Sequence, residues 1–290
     1  MKIPSHQLEA FVVVAQTGHF TKAAKKLNVT QSALSQRILN LESFLQTSLF
    51  IRERSGLRLT AKGEELLRYC HIQQQLENEF ISELNEPTSL LFKPTLRIAT
   101  FSSIARSLLI PAVSDLIQAN QIQFHLFTRE LGELQAMLSS AEVDYLIIDQ
   151  KSQNQTIESL FLGYEENVMI CAAGQKRQPV QWIIDHDELD DVSMKYQRIN
   201  KISSKKVNKR YLDDVYGLID GVRNGLGTAI VPLHLIRKDD DLDIVNAEKI
   251  LYTEVWLHFY QQPYYTKLHG QVLSAMKNYF GKKLVQQKSS

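Results

Sequence analysis

The sequence predicts an all-α N-terminal head carrying a winged helix-turn-helix, a long linker helix, and a C-terminal domain of two α/β lobes. Three observations predict this order: two short amphipathic segments broken at Asn28 and Val29, one long amphipathic run after Thr60, and alternating strand and helix patterns from Leu96 onward.

In the head, Leu8, Phe11, Val12 and Ala15 share one face of a helix from Ser5 to Gln16 that ends near Gly18. Phe20, Ala23, Ala24 and Leu27 form a second helix, whose alanines leave room for a close crossing. Thr30 supplies a cap for a third helix, with Ala33, Leu34, Ile38 and Leu41 inward and Gln31, Ser32, Ser35, Gln36 and Arg37 outward. Those outward side chains suit base edges and phosphates, and the small serines permit close approach to a major groove.

The segment IRERSGLRLT reads as a two-stranded wing turning near Ser55 and Gly56, with Arg52, Arg54 and Arg58 on it. Thr60 caps a long helix through Leu84, with Leu66, Leu67, Tyr69, Cys70, Leu76, Phe80, Ile81 and Leu84 on its apolar stripe. A helix of that length needs a partner, either a second copy of itself or its own C-terminal domain. Asn85, Pro87 and Pro94 mark a hinge.

After the hinge, LRIAT, IQFHLFT and VDYLIID read as strands, separated by helices over Ala105–Asn120 and LGELQAMLSSA. VMICAA, TAIVP and VWLHFYQ read as further strands, with helices over Asp213–Asn224 and His269–Phe280. Two such lobes commonly hold a ligand at strand carboxyl ends and helix amino ends. The organisation is therefore a head over 1–60, a linker helix over 61–88 and a ligand-binding domain over 92–290. Its first lobe covers about 92–163 and 263–290, its second about 164–262.

At 290 residues the chain exceeds the roughly 100–200 typical of one domain. Its net charge of +1 hides an asymmetry: residues 1–62 hold nine Lys and Arg against three Asp and Glu, and the remainder carries −5. That places a cationic surface on the candidate DNA-reading end. No apolar run approaches the roughly 18 residues of a membrane span, and MKIPSHQLEAF is no export signal, so a cytoplasmic protein without a membrane partner is expected.

The segment AFVVVAQTGHFTKAAKKLNVTQSALSQRILNLESFLQTSLFIRERSGLRLTAKG resembles the winged DNA-binding domain of LysR-type transcriptional regulators in order and spacing. LRIAT, LGELQAMLSSAEVDYLII and GLIDGVRNGLGTAIVP resemble that family's two-lobed α/β effector domain, of periplasmic-binding-protein type. Within the third helix, TQSALSQR looks most like the lysine- and arginine-responsive, chromosome-initiation-inhibitor branch. Many members carry proline at the Ser32 position and arginine at Gln36.

The resemblance implies a sequence-specific regulator whose DNA binding or bending a small molecule modulates. Its implied DNA-binding residues are Gln31, Ser32, Ser35, Gln36, Arg37, Arg52 and Arg54. Its implied effector-binding residues are Thr100, Phe101, Ser102 and Ser103 after the first strand, Thr128 after the second, and Ile202 and Ser203 in the second lobe. Hydroxyls and backbone N–H groups at a helix start suit a carboxylate, hence an amino acid or small organic acid; the alternative reading of Ser102 or Ser103 is ordinary capping. The implied partners are double-stranded DNA, the effector, further copies of the chain (a dimer through the linker helix, then a tetramer) and RNA polymerase. Between Gly174 and Lys201 the sequence departs from the family's pattern.

Asp185, His186, Asp187, Glu188, Asp190 and Asp191 form an acidic run without the glycine bend of a cation loop, and read as a solvated loop or helix start. Cys70 and Cys171 read as small core residues. No cofactor, metal or catalytic motif is present: GxSxG, P-loop, GxGxxG after a strand and HExxH are absent. A non-enzyme is expected. The competing readings are an architectural DNA-binding protein without effector and a small-molecule binding protein.

Overall fold

The computed structural model describes residues 3–53, 56–84, 93–129, 131–200, 207–237 and 241–287. Two compact units result, one of Met1–Ala99, Asn120–Leu146 and Pro263–Lys267, the other of Thr100–Ala119, Ile147–Gln262 and Leu268–Ser290.

In the first unit, α1 (Ser5–Thr17) stops where Gly18 turns left-handed at φ 65° and returns its N–H to Val14 O. Its buried residues are Leu8, Ala10, Phe11 and Val14, with Val12 and Ala15 only half-buried. α2 (Phe20–Lys26) buries Ala23 and Ala24. Asn28 makes the turn at φ 54°, a conformation asparagine tolerates better than most residues. Thr30 Oγ1 then accepts the Ala33 N–H at 3.2 Å and starts α3 (Gln31–Leu45). Leu34, Ile38 and Leu41 form the buried stripe of α3. Ala33, expected inward, is exposed. The stripe runs through Leu34 at i, i+4, i+7 spacing, and Ala33 lies about 100° away around the helix.

β1 (Phe50–Glu53) and β2 (Gly56–Leu59) form the wing, with Arg52 opposite Leu57 and Arg58 opposite Ile51. The Leu57 N–H donates to Gly18 O at 3.2 Å, tying the wing to the end of α1. α4 (Ala61–Leu84) begins at Thr60, whose Oγ1 accepts the Gly63 N–H at 2.9 Å. A Cβ on Gly63 would lie 2.2 Å from Leu49 O, so only glycine fits. The expected apolar stripe of α4 is divided: Leu66, Leu67 and Cys70 enter the head's core, whereas Tyr69 and Phe80 remain 51% and 61% exposed.

The same unit holds β3 (Thr95–Thr100), β4 (Gln123–Thr128), α7 (Leu131–Ser139) and the start of β5 (Tyr145–Ile148), in the order β4-β3-β5. The middle of α4 meets these strands through polar groups. Arg97 Nη1 lies 3.2 Å from His71 Nδ1, and Gln75 Nε2 donates to Asp144 Oδ1 at 3.0 Å.

In the second unit the helix expected over Ala105–Asn120 starts earlier, as α5 (Ser102–Ile104), a π turn over Ala105–Leu109 and α6 (Ile110–Ala119). β6 (Ile157–Ala172) extends well beyond VMICAA on its N-terminal side. β7 (Trp182–Asp185), α8 (Val192–Ile199), β8 (Asn208–Tyr211), α9 (Val215–Arg223), β9 (Thr228–Pro232), β10 (Leu242–Ile244), β11 (Leu251–Tyr260) and α10 (Lys267–Lys283) follow. The strands run β11-β6-β9-β7-β8, with β10 on β6. Val168, Ile170, Ile184 and Val231 pack against Val215, Leu218, Ile219 and Val222 of α9 to make the core there.

The acidic run is built into this fold. Asp185 ends β7, is 4% exposed, accepts the Ser193 hydroxyl at 2.8 Å and pairs with Lys209. Asp187 Oδ1 accepts the Leu189 N–H at 2.6 Å, and Asp190 Oδ1 the Val192 N–H at 2.9 Å, turning the chain into α8. Among the described residues no group of His, Cys, Asp and Glu is arranged to hold a metal, and no helix is long and apolar enough to cross a membrane. Cys70 and Cys171 are free and buried. Burial pushes the Cys70 thiol up to about 11, which suits a packing residue.

Candidate nucleic-acid interface and effector corner

The outer face of α3 carries Gln31, Ser32 and Gln36 exposed, with Ser35 and Arg37 half-buried at its edges. Arg52 is exposed on β1, and Arg54 lies outside the described residues. Lys22, Lys25 and Lys26 on α2 are exposed as well, adding cationic groups that neutralise phosphate.

Two residues that sequence reasoning missed hold the glutamine amides of this face. Thr21 Oγ1 on α2 donates to Gln31 Oε1 at 3.2 Å, and Gln36 Nε2 donates to Asn40 Oδ1 at 2.8 Å. The second was legible as an i, i+4 polar pair; the first depends on how α2 crosses α3. Glu42 Oε1 accepts the Leu49 N–H at 2.7 Å, fixing the exit from α3.

At the end of β3, the Thr100 side chain is fully buried and its hydroxyl donates to Ile147 O at 2.8 Å. That bond commits the hydroxyl proton to the neighbouring strand. Phe101 is extended (φ −70°, ψ 153°) and precedes α5, so Ser102 and Ser103 lie inside the first helical turn rather than at its cap. All three are half-buried. Thr128 is exposed at the end of β4, and Ile202 and Ser203 lie outside the described residues.

The structure adds a buried polar chain behind this corner. Ser107 Oγ donates to Ser103 O at 2.6 Å and lies 2.8 Å from His234 Nδ1. His234 Nε2 lies 2.7 Å from Glu165 Oε1, with both side chains about nine-tenths buried. Asp149, after β5, has its carboxyl raised above the usual range by burial, partly offset by Lys195. Arg106 lies 3.7 Å over the Tyr216 ring. None of these carried a sequence signal, because their partners lie far apart in the chain and the histidines are scattered.

A capped third helix, a wing carrying Arg52 and Arg58, and a C-terminal α/β region fit a DNA-binding regulator with an effector domain. Residues 5–64 match the bacterial regulatory helix-turn-helix protein model of the lysR family, and residues 91–280 match the LysR substrate binding domain. The chain belongs to the LysR family of transcriptional regulators. It is 26% identical over 268 residues to the HTH-type transcriptional regulator YofA of Bacillus subtilis, covering 88% of this chain and 86% of YofA. In fold it is similar to ArgP from Mycobacterium tuberculosis (TM-score 0.81, 18% identity, 99% and 100% of the two chains). It is likewise similar to full-length LysG from Corynebacterium glutamicum with bound effector Arg (TM-score 0.75, 16% identity, 98% and 100% of the two chains).

Proposed function

We propose that this LysR-type regulator reads its operator with Gln31, Ser32, Ser35, Gln36 and Arg37, and grips phosphate or a minor groove with Arg52 and Arg54. The observation that carries this reading is the outer face of α3. It is polar, it is kept low by two serines, and it starts at a side-chain cap beside a cluster of exposed lysines. The effector assigned to the corner Phe101–Ser103 is an amino acid or small organic acid, whose carboxylate suits the N–H groups and hydroxyls there. Arginine, which the LysG structure holds, and lysine head the panel of probes.

The chain acts as a homodimer through the exposed side of α4, pairing two heads on a two-fold operator, with tetramers and RNA polymerase as further partners in the cytoplasm. It acts without catalysis. The Ser107–His234–Glu165 chain supports this reading, because the Ser107 hydroxyl is engaged by Ser103 O inside a helical stretch.

The test is selection of genomic and random DNA fragments by the purified protein at near-physiological salt, repeated with Gln36→Ala. A two-fold symmetric motif, with specific binding weakened by roughly 1–3 kcal/mol in the variant, is expected. Retention without a motif would point to an architectural DNA-binding protein. No retention would leave a small-molecule binding protein.

A further inference from the structure

We propose that Thr21 and Asn40 are positioning residues for base readout: they orient the amides of Gln31 and Gln36 before DNA arrives and so decide which base edges α3 accepts. The inference rests on the reading of α3 as the helix that contacts bases. Its own evidence is the pair of side-chain bonds, Thr21 Oγ1 to Gln31 Oε1 at 3.2 Å and Gln36 Nε2 to Asn40 Oδ1 at 2.8 Å.

All four residues are exposed. Burial therefore demands neither bond, since water satisfies an exposed amide equally well. What the bonds change is the set of groups each glutamine has left. With its Oε1 engaged by Thr21, Gln31 offers its NH2 group, which fits acceptor edges such as guanine O6 and N7 or thymine O4. Gln36 keeps a free Oε1 and one free N–H, the donor and acceptor pair that matches adenine N6 and N7. An amide already held in place loses less side-chain freedom on binding. The two bonds also come from different places: Asn40 lies one turn along the same helix, whereas Thr21 reaches across from α2. They therefore act on separate base positions.

The experiment uses the full-length protein in wild-type, Gln36→Ala, Asn40→Ala, Thr21→Val and Thr21→Ser forms. Each is put through selection on a random duplex library, then anisotropy titration of the wild-type selected duplex and of its shuffled counterpart. Asn40→Ala and Thr21→Val are each expected to lower the ratio of selected to shuffled affinity about 3- to 10-fold. Each should blur a different base position, adenine for Asn40, while binding to shuffled DNA stays constant. Thr21→Ser, which keeps the hydroxyl, should restore the Thr21 position.

A helix-stabilising pair without a role in readout would move melting temperature and both affinities together, and that result overturns the proposal. So does an Asn40→Ala protein with the wild-type motif when Gln36→Ala has lost a position. If Gln36→Ala itself keeps the full motif, the reading helix has been misassigned, and the proposal falls with it.

Discussion

Arg97 Nη1 lies 3.2 Å from Nδ1 of His71, so the guanidinium of β3 donates to an imidazole on the linker helix. Such a bond requires a neutral ring, and burial, helped by the Arg97 charge, lowers His71 to about 4. Beside it, Asp144 accepts the Arg97 N–H at 2.8 Å and the Gln75 amide at 3.0 Å. This polar contact gives α4 a defined register on the strands.

His71 makes the first unit acid-sensitive. Between about 4 and the ordinary histidine value of 6.5 the unfolded chain binds the proton and the folded chain does not, so stability falls as pH drops through that window. Asp144, raised by burial, acts with the opposite sign near its own titration. His71→Asn should remove on the order of 2–3 kcal/mol of pH-dependent stability, read as the difference in urea unfolding between pH 7 and pH 4. An unchanged slope would show that His71 is not the group that titrates.

Arg52, exposed on the wing, should contribute charge rather than sequence preference. Arg52→Ala is expected to weaken selected and shuffled DNA alike and to reduce the slope of log affinity against log salt by about one. A lost base preference at constant slope would instead assign it a base contact.

Gly63 and Gly132 should respond oppositely to alanine. At Gly63 the new Cβ meets Leu49 O at 2.2 Å, and roughly 1–3 kcal/mol of stability should be lost. At Gly132, in α7, nothing lies within 4 Å, and a gain of up to about 1 kcal/mol is expected. Chemical denaturation of both variants checks the pair.

The Ser107–His234–Glu165 chain should be worth more to stability than a surface hydrogen bond. Glu165→Leu and His234→Phe leave buried polar groups without their partners, at a cost of about 1–3 kcal/mol each. The double variant should lose less than the sum of the two. Full additivity in thermal unfolding would mean that the two residues act independently.

Phe80, 61% exposed on α4, is the anchor expected to pair protomers. Phe80→Glu should shift the protein toward monomer in light scattering and weaken binding to a two-half-site duplex more than to a half-site. A dimer of wild-type strength would place the interface elsewhere.

Much of this protein was legible in its sequence because the signals were local. Thr30 and Thr60 were read as caps and each accepts a backbone N–H three residues on. The wing, the first three strands of the C-terminal domain, α9 and α10 fell close to where periodicity put them. β7, α8 and β8 were not foreseen. WIID is only four residues long, and NKRY is polar, its Lys209 pairing with buried Asp185. Only the tertiary structure could engage the Thr100 hydroxyl on Ile147 O, or bring Ser107 to His234, 127 residues later. Caps and stripes depend on neighbours within a turn or two of the chain. Which polar groups are buried, and against whom, is set by how distant strands and helices meet, and hydrophobic periodicity does not encode that.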